Sequence, residues 1–116
     1  MTTLSADLYE MANVPTRLTG LRAVVFCSPK GNSKHACRVK VSNSIGKMNP
    51  DDVFVVVLHN LEIAAGECKL SVADLESVQW WIYYNRQLIL NYWNYTVDTL
   101  DFLQSVKRIR DVQVKI

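Results

Sequence analysis

His35 and Cys37 stand two residues apart in a segment that reads as a strand, so both side chains are expected on the same face of it. Neutral imidazole and thiolate are good ligands for zinc and related metals, and His59 and Cys68 would add two more if their strands were adjacent. The spacing argues against such a site. No ligand pair lies on a tight turn and carboxylates nearby are few, so the expectation is an inert Cys37, an exposed His35, no metal and no cofactor. A Cys/His nucleophile–base pair has the same weakness, because nothing in the sequence would lower the thiol pKa. The segment SPKGNSK at 28–34 has one glycine and lacks the GxxxxGK[ST] form of a phosphate loop, and no HExxH occurs. No catalytic residue is assigned.

Charge is the second chemical signal. Residues 11–50 contain seven basic residues (Arg17, Arg22, Lys30, Lys34, Arg38, Lys40 and Lys47) and no acidic one, whereas 51–76 carry six acids against Lys69 alone. Segregation of this kind gives a polar field that can steer an encounter, or it can be two solvated faces that neutralise each other. Lys30, Lys34, Arg38, Lys40 and Lys47 are the candidates for contact with nucleic acid or an acidic protein, since phosphate contact requires little more than such a cluster. Base stacking would add aromatic rings, and only Phe26 lies in this stretch.

The third signal is aromatic. Seven of the eleven aromatic residues fall between 80 and 95, and between 77 and 97 the only charged residue is Arg86. At about 100° per residue, Leu75, Val78, Trp81, Ile82, Leu88, Ile89, Tyr92 and Trp93 share an arc of roughly 140° that should pack on a sheet. Asn85 sits within that arc and needs a hydrogen-bond partner there, since an unpaired buried amide costs roughly 1–3 kcal/mol. On the opposite side run Trp80, Tyr84, Gln87, Asn91 and Tyr95, with Tyr83 and Leu90 toward one edge. Large aromatics mixed with amides and almost no charge match the centre of a protein interface. The alternative is cover from within the chain, by the first or last helix.

These residues need elements to position them. At 116 residues the chain is one domain, and 49% hydrophobic with 21% charged residues excludes a wholly disordered protein. Residues 1–20 read as a short helix, 5–12, and a connector broken by Pro15 and Gly20. Residues 21–66 read as strands: the apolar LRAVVFC, the alternating His35 to Asn43, the continuous run VFVVVL and a short strand ending at Gly66. In the alternating strand, Cys37, Val39 and Val41 face inward while Arg38, Lys40 and Ser42 face outward. Residues 71–110 read as helices. One runs unbroken from Val72 to about Asn94, capped by Ser71 with Asp74. A second starts at Thr96 or Asp98 and ends near Ile109, with Leu100, Leu103 and Val106 inward and Lys107, Arg108 and Arg110 at its C-terminal end. Residues 111–116 alternate like a terminal strand. The predicted fold class is α+β: a small antiparallel sheet of three to five strands with a long aromatic-rich helix and a shorter one on one face.

No apolar run approaches the ~18 residues of a membrane span. The first residues lack a basic n-region, and three cysteines without a CxxC pattern read as reduced thiols, so a cytoplasmic protein without a membrane partner is expected.

The run from His35 to Trp93 resembles a small bacterial family of unknown function, often found beside toxin–antitoxin-like genes. The family has a His-x-His strand after a Pro-rich turn, further strands, a Gly, and a helix with spaced Leu, a Val-x-x-Trp and a terminal Trp. The residues that carry the likeness are His35, Arg38, Gly66, Leu70, Leu75, Val78, Trp81, Arg86, Leu88 and Trp93. Cys37 stands where the second His would be, and the Pro-Pro is absent. The resemblance implies a strand–strand–strand–helix module, from a mobile element or a toxin–antitoxin-like pair, that acts with a partner. The reading is a non-enzymatic module that binds a protein partner or a second copy. An RNA- or DNA-binding protein using residues 17–47 comes second and a hydrolytic toxin third.

Overall fold

The computed structural model describes residues 12–109. Five strands form one antiparallel sheet in sequential order: β1 (Ala12–Val14), β2 (Ala23–Cys27), β3 (Arg38–Ile45), β4 (Val53–Val57) and β5 (Ile63–Ala65). A one-turn helix α1 (Thr16–Thr19) joins β1 to β2, and Gly20 ends it with a left-handed φ of 78°. The chain then forms α2 (Val72–Tyr84), α3 (Arg86–Trp93) and α4 (Thr99–Ser105). The α+β fold class read from the sequence is the one observed. The predicted helix over 5–12 and strand over 111–116 lie outside the described residues, except that Ala12 opens β1.

The sheet has two unlike faces because each strand alternates. On one, Val14, Val25, Val41 and Phe54 align across four strands. They are fully buried against Val78, Trp81, Ile82, Ile89, Tyr92 and Phe102. On the other, Asn13, Phe26, Lys40, Val55 and Ala65 align in the same way. The turn between β3 and β4 is tied by Ser42, whose hydroxyl donates to Lys47 O and accepts from Ser44 N and Asn49 N. Ser42 is fully buried by this role rather than turned to solvent as the alternation predicts. Asn43 holds the neighbouring segment, donating to Asp52 and to Glu67 O and accepting from Lys69 N. Hydrogen bonds to the Asp52 carboxylate, from the Asn43 amide first and from the Lys69 ammonium at 3.2 Å second, hold it below its usual pKa. Gly66 is required here: a Cβ would lie 2.5 Å from Val53 O.

Three expectations need correction. The long helix is interrupted at Asn85, where φ is −105° and ψ 13°, so α2 and α3 are separate elements. The Asn85 side chain donates to Trp81 O at 3.0 Å and to Lys107 O at 3.1 Å, and accepts from Lys107 N at 2.9 Å. That is the partner a buried amide demands, and it draws the chain after α4 onto the helix break. Lys107 consequently lies beyond the end of α4 rather than in its last turn. Leu103 and, just past α4, Val106 pack against the core as expected, but Leu100 is 62% exposed and the fully buried residue is Phe102, stacked on Tyr92 at 4.6 Å.

Candidate functional site

Two sets of predicted residues come into view, one on the helices and one at the edge of the sheet. On α2, Trp80 stacks on Tyr84 with ring centroids 5.5 Å apart, and Tyr83 meets both rings edge-on at 6.0 and 5.7 Å. Trp80 is 44% and Tyr83 45% exposed. Spacing explains the cluster: residues three and four apart on a helix are neighbours. Gln79 anchors the adjoining β4–β5 turn by donating to Leu61 O at 3.0 Å. Two grooves open on either side of Tyr83. One, of about 790 Å³, is walled by Leu61, Glu76, Trp80 and Tyr84. The other, of about 480 Å³, is walled by Leu58, His59, Arg86 and Leu90. The Arg86 guanidinium lies 4.2 Å from the centre of the Tyr83 ring.

The predicted line of five residues is only partly assembled. Trp80 and Tyr84 are together, but Gln87 donates to Asn91 at 3.0 Å, so these amides answer each other along α3. Tyr95 falls beyond α3 with a left-handed φ of 64°, and its hydroxyl accepts the Gly31 N–H at 2.9 Å. Tyr95 is therefore an intrachain anchor. Tyr83, placed by the wheel at the edge of this face, lies at its centre because it lines both grooves. Helix α4 packs beside α3 and β1, so no described helix covers Trp80 and Tyr83.

At the sheet edge, the loop between β2 and β3 is pinned to the end of α3, where Lys30 N donates to Trp93 O at 2.8 Å. An otherwise unpaired carbonyl at a helix C-terminus is satisfied in this way. Lys30, Arg38 and Lys40 converge there on a cavity of about 190 Å³, with Ser28, Ser33, Phe26 and Trp93 also in its walls. The Lys40 ammonium lies 5.7 Å from the Phe26 ring centre. Of the five predicted basic contacts, these three come together. Lys34 is exposed in the same loop and Lys47 lies past the opposite end of β3. The segregated charges do not cancel. Among the described residues the ion pairs are Arg22–Asp74 at 3.8 Å and Lys69–Asp52 at 3.2 Å, which leave all five basic candidates unpaired. Trp93 is expected from the sequence in the core-facing arc and not at this cavity, and Ser28 and Ser33 only as residues of a loop. Trp93 reaches the cavity through folding alone, whereas the two serines flank Lys30 within the SPKGNSK loop and carried a local signal.

The expected placement of His35 and Cys37 on one strand face is not met. His35 is exposed in the loop before β3, while Cys37 is buried in the core. No group of three or more metal-ligating side chains occurs among the described residues. Burial pushes the Cys37 thiol up to about 12, and the Cys27 thiol higher still, the reverse of what activates a nucleophile. No helix among the described residues is long and apolar enough to cross a membrane. Comparisons with protein-family models, curated proteins and solved structures return no match.

Proposed function

We propose that this chain is a non-enzymatic protein-binding module whose contact face is Trp80, Tyr83 and Tyr84, and that a second copy of the chain is its occupant. The observation that carries the reading is three mutually packed aromatic rings, two of them, Trp80 and Tyr83, nearly half exposed. Rings held by one another on a helix lose little side-chain freedom on binding, which is how interface anchors behave. Self-association is supported by the charges that flank the rings. Glu76 lies five residues before Trp81 and Arg86 five after it. Two copies packed antiparallel about a two-fold axis at the level of Trp81, in the last turn of α2, would set Glu76 of each against Arg86 of the other. The resemblance drawn from residues 35–93, which implies a module that acts with a partner, is in keeping with this reading.

Light scattering over a range of protein concentration tests it, with circular dichroism to confirm folding. The wild type is expected to become dimeric as concentration rises. Tyr83→Asp places an unpaired charge in the contact and is expected to stay folded and monomeric, a loss of roughly 2–4 kcal/mol in association. A wild type that is monomeric throughout would contradict the proposal.

A further inference from the structure

The cavity at the sheet edge is a different kind of site from the aromatic face. It is the more enclosed of the two, its walls carry Lys30, Arg38 and Lys40, and among the described residues they include no carboxylate. Among the described residues none of the three cations has an ion-pair partner. Gathering like charges without a counter-charge is unfavourable, and an anion reverses the sign of that term. We propose that this cavity binds the phosphate monoester of a nucleotide.

Four features select that ligand. The guanidinium of Arg38 offers forked donors that match phosphate oxygens, and Lys30 and Lys40 supply point charges beside it. The Ser28 and Ser33 hydroxyls add neutral donors in the same wall. Phe26, half-buried with the Lys40 ammonium over its ring, gives an apolar wall for the sugar carbon that carries the phosphate. The volume of about 190 Å³ is below that of a pocket for a whole drug-sized molecule. It therefore fits a phosphoryl group and what is attached directly to it, and leaves the rest outside. A terminal phosphate fits such a dead end better than an internal phosphodiester, whose chain must enter and leave.

The site is also prepared in advance. Two bonds to the end of α3, Lys30 N to Trp93 O and Gly31 N to the Tyr95 hydroxyl, hold the loop that carries Lys30 and Ser33. Ordering costs that a free loop would meet on binding have been met by folding. Complementing the dipole of α3 at its C-terminus would explain one cation near Trp93, but not three together with two hydroxyls.

The test follows amide shifts in nuclear magnetic resonance spectra of the full chain, titrated with adenosine monophosphate, inorganic phosphate and adenosine. Adenosine monophosphate should shift the Gly31, Ser33 and Arg38 amides. Inorganic phosphate should compete with it, and adenosine should leave those amides unmoved. Arg38→Gln and, independently, Lys40→Gln should each weaken adenosine monophosphate binding roughly tenfold or more at low salt. A short oligonucleotide with and without a 5′-phosphate separates the sources of the same chemistry. Tighter binding of the phosphorylated strand than of the mononucleotide assigns the site to nucleic-acid ends, and equal binding assigns it to free nucleotides. Absent shifts with adenosine monophosphate, equal shifts with adenosine, or unchanged affinity in both variants would overturn the proposal.

Discussion

Trp80 and Trp81 are neighbours in sequence with opposite surroundings: one is 44% exposed and the other fully buried. Trp81 lies among the aliphatic residues of the sheet and of its own helix, where burying an indole contributes on the order of 4–6 kcal/mol. Among the described residues its Nε1 has no hydrogen-bond partner, which offsets part of that gain by roughly 1–3 kcal/mol. Trp80 contributes little to this core. It is held by Tyr83 and Tyr84, which are themselves no part of the buried cluster. One side of the helix thus builds the core, and the other keeps aromatic surface in water outside the buried cluster. An exposed aromatic patch outside the core is the physical basis for assigning it to association.

Substitutions can break or sharpen this contrast. Trp81→Ala should lower folding stability by about 3–5 kcal/mol, read as a fall in the denaturation midpoint. Asn85→Ala should cost about 1–3 kcal/mol, because Lys107 N and O lose their partner while both faces keep their rings. Trp80→Ala should change stability by no more than about 0.5 kcal/mol while reducing association. A Trp80→Ala variant as unstable as Trp81→Ala would place both rings in the core and remove the distinction.

The inward arc was legible because a 3.6-residue period survives wherever a helix meets a sheet, and Val78, Trp81, Ile82, Ile89, Tyr92 and Trp93 are all buried. The break at Asn85 was not, because no glycine or proline marks it. Its cause is a hydrogen bond to Lys107, contributed by chain 22 residues away. The inward face of α4 was legible in part: Leu103 and Val106 pack against the core as expected, whereas Phe102, stacked on Tyr92, takes the buried place expected of Leu100. The meander was readable strand by strand from alternation and turn residues, yet Ser42 broke the alternation to serve a turn. The basic residues were visible as charge, while their convergence with Trp93 depends on the loop bond to the end of α3. Tyr95 looked like a member of the outer line until its left-handed backbone turned it toward Gly31.

The most direct measurement of the central claim uses Trp80 as its own reporter. Trp81 and Trp93 are buried, at 0% and 7% exposure, so acrylamide should quench mainly the emission of Trp80. The account predicts that this quenchable fraction falls as protein concentration rises through the range in which light scattering detects dimer, and that it persists at every concentration in folded Tyr83→Asp. A quenchable fraction that stays constant in the wild type while dimer forms would show that the copies meet elsewhere, and would contradict the assignment of this face.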